Sequence, residues 1–104
     1  MVYLAIDIGT ESLRAGLIGP DGRLLASARQ AYPTAYPRPH WAEQNPDDWW
    51  RAARRAVPAA LAQAGLQPSQ VTAIGLDAFA STLVVTDAAG RPLRPAILWM
   101  DALA

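Results

Sequence analysis

One short segment near the start of the chain, residues 7–14, combines side chains that could bind a phosphate group and a metal ion. It reads Asp-Ile-Gly-Thr-Glu-Ser-Leu-Arg and follows a short apolar run typical of a buried strand. Its glycine permits backbone N–H groups to approach a ligand closely. The hydroxyls of Thr10 and Ser12 and the guanidinium of Arg14 can donate to phosphate oxygens. The carboxylate of Asp7 can hold a hydrated Mg²⁺ ion, so the segment predicts a metal–phosphate site.

An ordinary turn is the alternative interpretation of this segment, because Asp followed by Gly commonly ends a strand. The elements around it predict a hairpin in either case. Three β-prone runs, at residues 2–6, 13–18 and 23–30, are separated by turns that contain glycine. We therefore expect an antiparallel meander over residues 2–30, with the candidate site at its first turn.

A proline-rich connection at residues 31–44 leads to the one long helix that the sequence predicts. Its prolines withhold backbone donors from a ladder, so we expect an ordered but irregular path. The helix is expected over residues 45–64. Asn45 is the predicted N-cap, Pro46 takes the first helical position and Gly65 ends the helix.

The predicted helix carries one apolar stripe, which we expect to face the sheet. Pro58 lies inside the helix and is expected to kink or split it. The stripe consists of Trp50, Ala53, Val57, Leu61 and Ala64.

Further strand-like runs follow the helix. Residues 71–76 read as a strand that enters the core, and the runs 82–85 and 95–100 flank a hairpin loop at 87–90. Strands, then a helix, then more strands favour an α/β fold with a mixed sheet that the helix covers.

Composition excludes several classes of protein. The chain has 104 residues, 52% of them hydrophobic and 17% charged, which is typical of one globular domain. Its formal net charge is zero and its arginines form no basic stripe, which argues against nucleic acid as a partner. With no cysteine and one histidine, a metal would be a hard ion held by oxygen. No secretion signal or membrane span is evident, so we expect a cytoplasmic protein.

Three motifs together resemble one family of enzymes. Asp-x-Gly-Thr-x-Ser-x-Arg after a first strand resembles the first phosphate motif shared by actin, Hsp70-type chaperones and sugar kinases. Residues 41–50, Trp-Ala-Glu-Gln-Asn-Pro-Asp-Asp-Trp-Trp, resemble the Trp-x-Glu-Gln-x-Pro-x-x-Trp-Trp segment of FGGY carbohydrate kinases. Ile-Gly-Leu-Asp at 74–77 and Leu-Trp-Met-Asp at 98–101 are similar to the sugar-proximal part of that family. The resemblance covers nearly the whole chain.

The resemblance implies a ribonuclease-H-like α/β fold with a mixed sheet of about five strands. Its first three strands would form the antiparallel meander, backed by one main helix. Residues 1–104 would be a partial N-terminal kinase domain, made of a phosphate hairpin at 2–30, a linker at 31–44, the helix at 45–64 and sugar-proximal strands at 71–101.

The reaction implied by the resemblance is transfer of the γ-phosphoryl group of ATP to a sugar hydroxyl, with Mg²⁺ as the metal. Asp7 would serve the metal. The phosphates would be bound by Thr10, Glu11, Ser12 and Arg14, and Glu11 would act through its backbone while its side chain points away.

On the sugar side, the resemblance points to Asp77, Ala80, Ser81 and Asp101. At Ala80 and Ser81 the glycerol kinases carry an Arg-Glu pair and the xylulokinases a Met-His pair. The run Gly-x-Asp-x-x-x-Ser-Thr found here is closer to ribulokinase-like branches, which favours a ketopentose or related polyol over glycerol. Asp77 and Ser81 could bind sugar hydroxyls or, equally well, form hydrogen bonds to the nearby backbone.

The family's catalytic base lies in a later Gly-Asp-Gln-like motif and its adenosine site in a second domain, and this sequence has neither. We therefore expect an N-terminal segment that is inactive alone and self-associates through exposed apolar surface. The alternative is a nucleotide- or partner-binding module without catalytic activity. A ribonuclease-H-like nuclease would need more clustered carboxylates than Asp7 and Asp77 provide.

Overall fold

The computed structural model describes residues 1–102 and contains, within that range, one long helix and six strands. In chain order the elements are β1 (Val2–Ile8), β2 (Ser12–Ile18), β3 (Leu24–Ala31), β4 (Glu43–Gln44), α1 (Pro46–Ala64), a 3₁₀ turn (Pro68–Gln70), β5 (Val71–Ala78) and β6 (Ala96–Ile97).

The main sheet has four strands in the order β3-β2-β1-β5. β1 pairs antiparallel with β2, and β2 pairs antiparallel with β3, which confirms the predicted meander. β5 runs parallel to β1, so the sheet is mixed, as expected. The prediction that residues 71–76 enter the core is wrong, because β5 is an edge strand and residues 72–78 are exposed.

Helix α1 begins and ends where the capping signals predicted. The side chain of Asn45 accepts a hydrogen bond of 3.0 Å from the Asp47 N–H at the helix start. Gly65 closes the other end in the left-handed region, with φ of 68°. The helix continues through Pro58, so of the two predicted effects of this residue, a kink or a split, the split does not occur.

The hydrophobic core lies between α1 and the face of the sheet that carries Leu4, Leu13 and Leu17. Trp50, a residue of the predicted apolar stripe, is not part of this core, because it is 67% exposed. Small residues take its place, since they allow the helix to approach the leucines closely. The buried residues of α1 are Ala52, Ala56, Ala60 and Leu61, with Ala53, Val57 and Ala64 partly buried beside them.

Exposed apolar surface lies beside the open edge of β5. Trp50, Ile74 and Leu76 line one groove between α1 and β5, and all three are largely exposed. This is the type of surface on which the self-association prediction rests. In the described part of the chain, the single long helix is too polar to cross a membrane.

A second, smaller sheet joins the proline-rich connection to the end of the chain. β4 pairs antiparallel with β6, with Glu43 opposite Ile97 and Gln44 opposite Ala96. The predicted hairpin loop at 87–90 is present, and the Gly90 N–H donates to the Asp87 carbonyl at 3.0 Å. The predicted strands around it are reduced to β6 and to isolated bridges, and the predicted linker 31–44 ends in a strand that the sequence did not indicate.

Candidate active site

The segment at residues 7–14 forms a tight β-hairpin, as predicted. The Gly9 N–H donates to the Ser12 carbonyl at 2.9 Å and closes the turn. A Cβ atom at Gly9 would lie 3.0 Å from that same carbonyl oxygen, so a side chain there would crowd the turn and glycine avoids this contact. Thr10 and Glu11 form the tip, where Glu11 is exposed.

Four charged side chains form a row across the sheet at the base of this hairpin. Asp7 lies opposite Arg14 on β2 and opposite Asp77 on β5. Arg14 lies opposite Arg29 on β3. Cross-strand partners project from the same face of a sheet, so the row reads Arg29, Arg14, Asp7, Asp77 on the face opposite α1. Like charges directly opposite each other are destabilising, so each half of the row suits a ligand of opposite charge.

Arg29 is a candidate residue that the sequence analysis missed. Its Nε donates to the hydroxyl of Ser12 at 3.0 Å, and that serine is buried. Arg29 therefore orients the Ser12 hydroxyl and adds a second guanidinium beside Arg14. No simple sequence signal pointed to it, because a bulge at the end of β2 shifts the register, and counting from the turn between β2 and β3 would place Ala28 opposite Arg14.

Donors from the proline-rich connection contact the inner side of the hairpin tip. The Tyr32 hydroxyl donates to the Gly9 carbonyl, and the Tyr32 N–H donates to the Glu11 carbonyl at 3.1 Å. Gln44 Nε2 donates to the Thr10 carbonyl at 2.6 Å. Burial, with a smaller contribution from the negative charge of Asp7 nearby, raises the pKa of the Tyr32 phenol to about 12.

The Asp7–Asp77 pair supplies oxygen donors of the kind that Mg²⁺ prefers. Paired strands lie about 4.8 Å apart, so two carboxylates in register can approach one hydrated ion. Within residues 1–102, no group of three or more potential metal-binding side chains occurs. A pair of carboxylates suits Mg²⁺, because this ion commonly keeps several waters and binds one or two carboxylates plus phosphate oxygens.

The predicted sugar-side residues lie in two places. Asp77 is in register with Asp7, and Ala80 and Ser81 form an exposed turn directly after β5. Ser81 has a positive φ of 54°, a conformation that residues other than glycine rarely adopt. Asp101 is only 5% exposed, and its Oδ2 accepts from the Ala42 N–H at 2.7 Å.

Trp99 brings the end of the described chain onto the hairpin. Its Nε1 donates to the Thr10 hydroxyl at 3.3 Å, although the two residues are 89 positions apart in the sequence. In the sequence, Trp99 stands out only as part of the Leu-Trp-Met-Asp motif at 98–101, and no local pattern places it beside Thr10. The hairpin, Asp77 and the segment that holds Trp99 therefore meet at one end of the sheet.

A family model described as "FGGY family of carbohydrate kinases, N-terminal domain" matches residues 2–104. The chain belongs to this family. Its FGGY relatives include a glycerol kinase from Delftia acidovorans, 41% identical over 103 residues, which are 97% of this chain and 21% of that protein. A xylulose kinase from Escherichia coli is 37% identical over 100 residues, or 96% of this chain and 20% of that protein.

Solved structures of FGGY kinases share this fold. A xyloylose kinase from Brucella ovis superposes with a TM-score of 0.92 at 36% identity over 97% of this chain and 21% of its own. A xylulose kinase from Rhodospirillum rubrum gives a TM-score of 0.88 at 29% identity over 98% and 21%. The chain thus spans about a fifth of the length of these relatives.

Proposed function

We propose that the full-length FGGY kinase containing this chain transfers the γ-phosphoryl group of MgATP to a hydroxyl of a ketopentose or related polyol. The observation that carries the proposal is the row of two guanidinium and two carboxylate groups beside the hairpin tip. Membership of a carbohydrate kinase family supports sugar phosphorylation in general.

The proposal gives each residue of the hairpin a task. Thr10 and Ser12 donate to phosphate oxygens, Glu11 contributes its backbone N–H, and Arg14 neutralises phosphate charge. Asp7 holds Mg²⁺, an ion that when bound offsets the negative charge of the nucleotide phosphates. Positioning and charge neutralisation account for most of the catalysis of phosphoryl transfer, so this arrangement suits the reaction. The base that accepts the sugar proton is expected outside this chain.

The substrate preference rests on the turn after β5. Ala80 and Ser81 are small and uncharged, so they leave room for a sugar and can offer one hydroxyl group to it. The positive φ of Ser81 supports a site at this turn, because such strain is concentrated where ligands bind. Asp77 is assigned to a sugar hydroxyl or, through its position beside Asp7, to the metal. Asp101 remains a predicted substrate residue, and its Oδ2 also accepts a hydrogen bond from the Ala42 N–H.

The test is a coupled assay of ADP release by the full-length protein with ketopentoses, polyols and glycerol. We expect turnover of roughly 1–100 per second with a ketopentose or polyol. Asp7→Asn is expected to lower turnover about 100-fold or more while the KM for the sugar changes by less than about twofold. Asp21→Asn, an exposed carboxylate on the next turn, is the matched control and should leave both unchanged.

Three results would contradict parts of the proposal. Full turnover of Asp7→Asn at saturating MgATP would remove Asp7 from the mechanism. A clear preference for glycerol would overturn the substrate assignment. Binding of MgADP without turnover on any sugar would favour the non-catalytic alternative. The 104-residue chain alone is expected to be inactive, because it supplies one wall of a site that must enclose the nucleotide.

A further inference from the structure

Three consecutive carbonyl groups at the hairpin tip are bound by donors from one segment of the chain. The Gly9 and Glu11 carbonyls accept from the hydroxyl and the backbone N–H of Tyr32, respectively. The Thr10 carbonyl between them accepts from Gln44 Nε2 at 2.6 Å. The proline-rich connection therefore holds every peptide unit of the tip by its oxygen.

Holding a carbonyl also fixes the direction of the next N–H group. In a planar trans peptide the C=O and the following N–H point in opposite directions, and all described peptide bonds are trans. The bound carbonyls of Gly9 and Thr10 therefore direct the N–H groups of Thr10 and Glu11 away from the connection. Within residues 1–102 these two N–H groups form no hydrogen bond, so they can donate to a ligand.

The side chain of Gln44 can serve this purpose in only one orientation. Trp49 Nε1 is a donor only, and it lies 2.8 Å from Gln44 Oε1. The amide oxygen must therefore face Trp49, which leaves the NH₂ group for the Thr10 carbonyl and for the Thr34 hydroxyl at 2.9 Å. Gln44 is only 2% exposed, so water does not compete for these bonds.

Tyr32 is suited to the same task by its burial. Its side chain is buried away from water, and its phenol is protonated, as in any tyrosine at physiological pH, so the hydroxyl can donate to the Gly9 carbonyl. Neither Tyr32 nor Gln44 lies on the row of charged groups, so both act on a nucleotide only through the backbone of the tip.

We propose that Tyr32 and Gln44 are positioning residues that direct the N–H groups of Thr10 and Glu11 toward the phosphates of the nucleotide. The inference rests on the proposed function, because it assumes that the hairpin binds phosphate. It extends that function to two residues outside the hairpin that would not touch the nucleotide.

The test measures MgADP binding to the full-length protein by calorimetric titration. Tyr32→Phe removes only the hydroxyl that holds Gly9. Gln44→Glu keeps the size of the side chain and the acceptor for Trp49, but replaces the donor to Thr10 by an oxygen. Each variant is expected to weaken MgADP binding about three- to tenfold. The KM for the sugar should change by less than about twofold.

Thr34→Val is the matched control. It removes the other acceptor of the Gln44 NH₂ group and leaves the bond to the Thr10 carbonyl in place. We expect it to lower Tm as the other two variants do, but to bind MgADP like the parent protein. This separates direction of the N–H groups from a general loss of stability.

The outcomes distinguish the inference from the proposed function. If Tyr32→Phe and Gln44→Glu bind MgADP as tightly as Thr34→Val, the positioning role is wrong, even where Asp7→Asn impairs turnover. If Asp7→Asn also turns over normally, the proposed function itself fails. Should Gln44→Glu not fold, Tyr32→Phe decides alone, since it removes a single oxygen atom.

Discussion

Replacing Arg29 by methionine separates the stability of the charged row from its ability to bind phosphate. Arg29 lies opposite Arg14 on the neighbouring strand, and its Nε donates to the Ser12 hydroxyl at 3.0 Å. Methionine keeps an unbranched side chain of similar reach and removes the charge. The variant therefore loses one repulsion and one hydrogen bond at the same time.

The two effects on stability oppose each other. Relief of a like-charge pair across two strands stabilises by about 0.2–1 kcal/mol. Loss of the hydrogen bond to Ser12 costs about 0.5–1.5 kcal/mol. The free energy of unfolding of Arg29→Met should therefore stay within about 1 kcal/mol of the parent value, and Tm should shift by a few degrees at most.

The effect on nucleotide binding has no such offset. A hydrogen bond to a charged group contributes about 1.5–3 kcal/mol, and the exposure of Arg29 places it at the lower end. We expect the Kd for MgADP to rise about tenfold. The difference between Arg29→Met and the parent protein should shrink as salt is raised, because the Debye length falls from about 10 Å at 0.1 M to about 3 Å at 1 M.

Calorimetric titration of the full-length protein with MgADP at low and high salt measures this effect. Arg23→Met is the matched control, since it removes the same charge from a side chain that is 85% exposed on the turn between β2 and β3. Equal MgADP affinities for Arg29→Met and Arg23→Met would refute the assignment of Arg29 to phosphate. A difference that does not respond to salt would refute its electrostatic origin.

Two further predictions concern stability. Asn45→Ala removes the acceptor at the start of α1 and should lower the free energy of unfolding by about 1 kcal/mol in urea titrations, whereas Asn45→Asp retains a cap and should not. The folded protein resists ionisation of Tyr32, whose pKa is raised from 10.0 to about 12. The contribution of this shift to the free energy of unfolding is complete below pH 10 and is lost as pH rises towards 12. The Tm of Tyr32→Phe should therefore fall less steeply over that range than the Tm of the parent protein. An identical pH profile for the two proteins would contradict this.

The elements that could be predicted from the sequence are those specified by neighbouring residues. The N-cap at Asn45, the stop at Gly65 and the first hairpin each depend on a few adjacent positions, and all three are confirmed. The side of α1 that faces the core was predicted less well. Large apolar residues such as Trp50 dominate a periodic pattern, whereas alanines carry little signal although they pack against the sheet.

Contacts between distant residues could not be predicted from local patterns. Gln44 and Thr10 are 34 positions apart, and nothing in a two-residue strand indicates its partner. Arg29 is a related case, because the bulge at the end of β2 shifts the register by one residue, and the turn between β2 and β3 alone would pair Arg14 with Ala28.

The short strand β4 allows its two polar residues, Glu43 and Gln44, to contact different parts of the structure. Neighbouring side chains of a strand point to opposite faces, and here Gln44 binds the Thr10 carbonyl while Glu43 forms an ion pair with Arg94. The backbone of β4 pairs with β6, two residues before Trp99, whose side chain donates to the Thr10 hydroxyl. The proline-rich connection thus combines short backbone pairing with side-chain donors that reach the hairpin. Through them it determines how the segment predicted to bind sugar lies against the hairpin predicted to bind phosphate.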